Sequence, residues 1–261
     1  MKRTLIIPTL SDYPSEYRPL LDGASVFDSS CSPEARVVFI DREDGYYLKS
    51  APRGTLQREA ELTRYFHARG LAAEVLDYRS DERDWLLTTR VRGEDLTHAD
   101  YLAQPERLAT LLGERLCALH ELSTEGCPVP DHTARYLATV EQNFRTGSYD
   151  TSHFPDSFGY ASAEQAWQVV EQNRHRLKSD TLLHGDYCLP NVMLDDWTFS
   201  GFIDLGNGGV GDRHVDLFWG AWTLAFNLHT DAYRDRFFDA YGRDHIELEM
   251  LDIVAACEVF G

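Results

Sequence analysis

Apolar positions give the first outline of the chain. Between residues 105 and 122, Leu108, Leu111, Leu112, Leu116 and Leu119 recur at three- and four-residue spacing, which predicts a helix with one buried face. Residues 55–69 repeat the pattern with Leu56, Ala60, Leu62 or Tyr65, and Phe66, and further helices are expected over 134–145, 163–177 and 217–227. The first ninety residues read differently. Short runs rich in Val, Ile, Phe and Tyr, bounded by turn residues, predict strands over 24–28, 35–41, 46–50, 71–78 and 85–91. Arg42-Glu43-Asp44-Gly45 joins the second and third as a hairpin. The pattern therefore predicts an α+β, two-lobed protein. Residues 1–91 form a five-stranded antiparallel β lobe with one helix, and residues 92–261 form a mainly helical lobe.

The stretch 182–206 interrupts the helices with a short strand, a polar loop and two more strands joined by a turn. Its loop holds His184, Gly185 and Asp186. Asn191 follows five residues after Asp186, and Asp204 comes eighteen residues after it, directly behind Phe202-Ile203. Turn chemistry accounts for any one of these polar residues taken alone. Together, at this spacing, they match the needs of phosphoryl transfer from a Mg²⁺-bound nucleotide. One carboxylate accepts the proton of the attacking hydroxyl, while the other and the amide hold the metal against the phosphates. Asp186 is the candidate base; Asn191 and Asp204 are the candidate metal ligands. His184 is expected to brace the loop.

Two more features fit that chemistry. Lys49 lies inside the third strand, where strand alternation alone would make it an exposed lysine. A carboxylate on the next helix would instead make it a phosphate-binding lysine, and Glu59, or failing it Glu61, stands in the first turns of 55–69. Thr89 and Val91, at the end of the fifth strand, are where backbone groups of a two-lobed kinase meet the purine. The Gly-, Ser- and Asp-rich residues 147–159 are expected to form a mobile loop, with Asp150 and Asp156 as candidate binders of substrate ammonium groups. His120 is read as a packed or capping histidine, Arg213 and Asp216 as structural, and Asp212 or Asp216 as a cap of the helix over 217–227 that buttresses the loop of Asp186.

Charge and cysteine usage narrow the classes. Forty-three acidic against twenty-five basic residues give a net charge of −18, which disfavours nucleic acid and anionic membranes and favours polycations. No apolar run approaches the roughly 18 residues of a membrane helix, and the N-terminus turns polar too soon for a signal peptide. Five cysteines without paired spacing suggest reduced thiols and a cytoplasmic protein.

HGDYCLPN (His184 to Asn191), FSGFIDLG (Phe199 to Gly206) and GVGDRHVDL (Gly209 to Leu217) resemble the aminoglycoside 3′-phosphotransferases, of the protein-kinase-like superfamily. The resemblance runs from about Phe27 to Phe260 and implies the kinase-like form of the fold. It implies ATP or GTP as donor, Mg²⁺, and a polycationic aminoglycoside as acceptor. Residues 32–36 (SPEAR) sit where the family carries its nucleotide-covering loop, so Ser32 is a candidate nucleotide contact; composition alone would make it a surface hairpin. Glu258 and Phe260 fit the family's substrate-gripping tail, while Cys257 replaces its aspartate and Gly261 adds a residue. Asn207 and His214 stand where the family usually has Arg and Tyr. The competing readings are a kinase for another small alcohol, of choline, homoserine or macrolide type, and a non-catalytic nucleotide-binding module.

Overall fold

The computed structural model describes residues 3–31, 33–149 and 158–261. Thr4–Ile6 (β1), Ser25–Asp28 (β2), Arg36–Asp41 (β3), Tyr46–Pro52 (β4), Val75–Ser80 (β5) and Arg83–Thr89 (β6) form one antiparallel sheet in the order β1-β2-β3-β4-β6-β5. Two helices accompany it, the single turn Arg18–Leu21 (α1) and Gln57–His67 (α2). The sheet thus has six strands where the sequence pattern gives five. The added strand, β1, pairs Leu5 with Phe27, yet Leu5 is 66% exposed and the strand has no buried position. Such an edge strand is held by backbone pairing and shows no hydrophobic alternation.

Strand alternation sorts the rest of this sheet. On one face Val26, Val38, Ile40, Leu48 and Leu87 pack with Tyr13, Tyr17 and Leu21. Lys49 follows Leu48 and therefore points to the other face, where Ala51 and Leu86 meet Leu56 and Ala60 of the α2 region. Leu62 and Phe66 of α2 are fully buried, a contribution of roughly 1.5–3 kcal/mol each. The helix has no capping side chain of its own at Leu56. Asp84 on β6 supplies one, accepting the N–H groups of Gly54 (2.9 Å) and Leu56 (2.8 Å) and the Tyr78 hydroxyl (3.1 Å).

After Glu94–Asp95 (β7) the chain runs through Ala99–Leu102 (α3), Pro105–His120 (α4), His132–Thr146 (α5), Ala163–Asn173 (α6), Thr181–Leu183 (β8), Val192–Asp195 (β9), Thr198–Phe202 (β10), Gly209–Gly211 (β11), His214–Leu228 (α7), Arg234–Tyr241 (α8) and Leu248–Glu258 (α9). It falls into two compact units, Met1–His98 with Pro190–Gly206, and Ala99–Leu189 with Asn207–Gly261. In the first, β10, β9 and β7 form a small antiparallel sheet beside the six-stranded one. In the second, β8 pairs with β11. There α4 presents Leu108, Leu112, Leu116 and Leu119 to the interior. It approaches α8 so closely that a Cβ at Gly113 would lie 2.4 Å from the Phe237 carbonyl oxygen. A further core gathers α5, α6 and α9 around Val140, Ala166, Val170, Ala256 and Phe260. Among the described residues no helix is long and apolar enough to cross a membrane.

Candidate active site

In the first unit, β4 and α2 bring Lys49 and Glu59 together as the strand and helix periods require. The Lys49 ammonium donates to both Glu59 oxygens, at 3.0 and 2.8 Å, and to Asp204 Oδ1 at 2.8 Å. Burial works against the charge on Lys49, but the two carboxylates outweigh it and hold the ammonium's pKa above its ordinary value. Asp204 lies just past β10 at φ +56°, a conformation that side chains other than glycine's rarely adopt. The cost of that geometry, about 1–2 kcal/mol, buys an outward-facing carboxylate, since the Asp204 side chain is 53% exposed. The Ile203 N–H donates to the Asn191 carbonyl at 3.1 Å, so the backbones carrying Asn191 and Asp204 are tied together.

In the second unit, the loop after β8 is pinned group by group. Buried Asp216, in the first turn of α7, accepts the His184 N–H (2.7 Å) and the Gly185 N–H (2.8 Å). Asp216 also meets His120 Nε2 at 3.2 Å, and His120 Nδ1 faces the Tyr241 hydroxyl at 2.8 Å. Burial lowers the His120 pKa, leaving a neutral imidazole that donates to Asp216 and accepts from Tyr241. Burial would raise Asp216, yet His120 and the two backbone donors overcome it and hold the carboxyl below its usual range.

The remaining loop groups are held in the same way. The Asp186 N–H reaches His184 Nδ1 at 3.3 Å, the Leu189 N–H reaches Thr223 at 3.2 Å, and Tyr187 donates its hydroxyl to the Leu112 carbonyl at 2.8 Å. Gly185 has φ +83°, and a Cβ there would lie 1.9 Å from the Asn207 carbonyl oxygen, so only glycine fits. The loop that carries Asp186 is therefore fixed before any substrate arrives.

The C-terminal tail is part of this unit's core. Phe260 is fully buried among Phe144, Tyr149 and Trp167, and Asn143 donates to its carbonyl at 2.7 Å. Cys257, in place of the expected aspartate, is buried, and burial raises its thiol pKa to about 12. Glu258 accepts the Tyr136 hydroxyl at 2.7 Å and a hydrogen bond from Trp219. Burial first, and the neighbouring charge of Asp186 second, push its carboxyl up to about 7.

Among the other candidates, Thr89 gives its N–H to the Glu74 carbonyl (3.0 Å) and takes the Glu74 N–H on its hydroxyl (3.0 Å). Val91 is buried just beyond β6. Ser32, Asp150 and Asp156 lie outside the described residues. Of the two carboxylates that the sequence offers as a buttress of the Asp186 loop, Asp216 is the one that holds the His184 and Gly185 N–H groups; His120 was read only as a packed or capping histidine, and Asp84, Tyr136 and Trp219 were missed. The polar residues among them act on backbone N–H groups or inside buried pairs, for which no sequence spacing is diagnostic.

The chain is similar to known proteins along most of its length. Residues 32–251 match the model of the phosphotransferase enzyme family. A probable aminoglycoside 3′-phosphotransferase of Lactococcus lactis subsp. lactis is 50% identical over 97% of this chain and 96% of its own. The crystal structure of an aminoglycoside-3′-phosphotransferase of type VIII superposes with a TM-score of 0.78 at 25% identity, covering 96% of both chains. An aminoglycoside phosphotransferase of Streptomyces rimosus, solved with ADP and streptomycin, shares the fold with a TM-score of 0.70 at 20% identity over 87% of this chain and 91% of its own.

Proposed function

The chain belongs to the phosphotransferase enzyme family, and from that premise we propose that it moves the γ-phosphoryl of ATP or GTP to the 3′-hydroxyl of an aminoglycoside, conferring antibiotic resistance. The observation that carries this reading is the lysine held between two carboxylates, Lys49 with Glu59 and Asp204, in a chain whose Asp186 loop is rigidly pinned. Lys49 binds the α- and β-phosphates, and Glu59 keeps it aimed. Asp186 orients the acceptor hydroxyl and takes its proton as the oxygen attacks the γ-phosphorus. Residues 1–91 serve the nucleotide, with Thr89 and Val91 at the purine and Ser32 over the phosphates. Residues 92–261 serve catalysis and the acceptor.

Asn191 and Asp204 suit Mg²⁺. Both offer oxygen donors, their backbones are tied, and Asp204 faces outward. One carboxylate and one amide, completed by phosphate oxygens, are what this ion usually takes. When bound it neutralises phosphate charge. Asp204 would hold the ion together with Asn191, and Lys49, now on Asp204 at 2.8 Å, would bind the phosphates. Glu258, Asp150 and Asp156 are the acceptor's ammonium partners, and the protein works in the cytoplasm.

An ADP-release screen across aminoglycosides and neutral alcohols tests the reading. Aminoglycosides alone should give turnover; turnover only on uncharged alcohols would contradict it. Variants test the roles. Asp186→Ala should lower kcat by about a thousandfold or more with nucleotide affinity intact, and Asp204→Ala should weaken the Mg-nucleotide itself. Equal loss of nucleotide binding in both would overturn that division.

A further inference from the structure

Along α7 three aromatic side chains stand in a row that the reaction as described leaves largely unused. Trp219 and Trp222 meet edge to face with ring centroids 5.4 Å apart, and Trp222 and Phe226 stack nearly parallel at 4.9 Å and 11°. The row ends in water, with Phe226 61% exposed. A helix advances 1.5 Å per residue, so the row is about 10 Å long, the length of two linked sugar rings.

Its inner end is fixed by chemistry already described. Trp219 packs on the cluster of Leu183, Val215 and Val254, and Leu183 directly precedes the His184–Asp186 loop, whose N–H groups are held by Asp216 one turn earlier on the same helix. The row therefore leads outward from the neighbourhood of the acceptor base. Between His214 and Leu228 the helix carries no Lys or Arg, so nothing cationic on it repels an amine.

We propose that Trp219, Trp222 and Phe226 form an acceptor subsite that takes two linked rings of an amino sugar, the ring nearest Asp186 against Trp219 and the next ring along the stacked Trp222 and Phe226. The inference rests on the aminoglycoside reading and deepens it. A saturated sugar or aminocyclitol ring presents flat rows of C–H groups that pack on an aromatic face, and its ammonium groups are drawn to the negative face of the π system. Aromatic side chains supply such contact at small entropic cost. The carboxylates attract any polyamine from any direction. The aromatic row adds affinity for the ring faces, which the carboxylates do not supply.

Steady-state kinetics with kanamycin and neomycin test this on wild type, Trp222→Ala, Trp222→Phe, Phe226→Ala and Phe226→Tyr. Each alanine variant should raise the acceptor KM about three- to tenfold, leaving kcat and the nucleotide KM within about twofold. The two variants that keep an aromatic ring should stay near wild type. Kanamycin should also quench the tryptophan fluorescence of the wild-type protein, and the quench should shrink in Trp222→Phe. Phe226 is exposed, so its truncation reads out even if Trp222→Ala folds poorly. An unchanged acceptor KM in alanine variants that melt like wild type overturns the subsite. A shift of oligomeric state without a change in KM also overturns it, and assigns the row to a second copy of the chain. A wild-type protein inactive on every aminoglycoside would sink the functional reading itself and this subsite with it.

Discussion

At the scale of single residues, Glu258 carries the sharpest expectation. Its carboxyl titrates near 7 in the folded protein against an ordinary value of 4.5, because burial and the charge of Asp186 both disfavour ionisation. A folded-state pKa raised above the unfolded one means stability that is fully present below about pH 4.5 and is lost as pH rises through about 7. Between those limits the melting temperature of wild type should fall, and that of Glu258→Gln, which cannot ionise, should fall less. The binding role proposed for Glu258 runs the other way, since an ammonium needs the ionised carboxylate. The acceptor KM of wild type should therefore drop as pH passes about 7, with Glu258→Gln lacking that step. Parallel pH profiles for the two proteins in both melting and KM would contradict the assignment. Asp204 illustrates the same economy of placement: an unfavourable backbone angle at one residue is kept where it turns a carboxylate outward.

At the scale of elements, the site depends on carboxylates that hold backbone rather than substrate. Asp84 fixes the start of α2 through Gly54 and Leu56, and α2 carries Glu59 to Lys49. Asp84→Ala leaves two N–H groups unsatisfied, a loss of about 1–3 kcal/mol. It should also raise the nucleotide KM while leaving the acceptor KM alone, which separate titrations of the two substrates would reveal. A variant that merely melts lower, with both KM values unchanged, would make Asp84 structural only.

The same chemistry decides what was legible in the sequence. Helix and strand periods announce which side chains share a face, so the Lys49 strand, the Glu59 helix and the leucine-rich α4 could be read directly. Asp186, Asn191 and Asp204 stood out because phosphoryl transfer constrains their spacing. Asp216, polar and just ahead of an apolar helix, could be offered as a buttress of the loop, but the partners of Asp84 are N–H groups, which every residue but proline carries, at separations of 30 and 28 residues that follow no local period. β1 was hidden for a related reason: backbone pairing holds it, and its side chains face water. The tail combined both cases, with Phe260 closing a core and Cys257 standing where a charge was expected.

At the scale of the whole molecule, the net charge of −18 governs encounter with a polycation. Each exposed ammonium–carboxylate pair contributes only about 0.2–1 kcal/mol, so affinity must be the sum of several, and salt screens them together. Raising ionic strength should raise the acceptor KM, with kcat nearly constant. A salt-independent KM would remove the electrostatic part of the account and leave the aromatic row as the main source of binding. The central claim, transfer of a phosphoryl group to an aminoglycoside hydroxyl, is tested most directly by incubating the protein with kanamycin and Mg-ATP and locating the phosphate by two-dimensional ¹H–³¹P NMR. The account predicts one new phosphate ester on the 3′-oxygen, formed by wild type and absent with Asp186→Ala. An unmodified antibiotic, or a phosphorylated product formed equally well by the Asp186 variant, would contradict it.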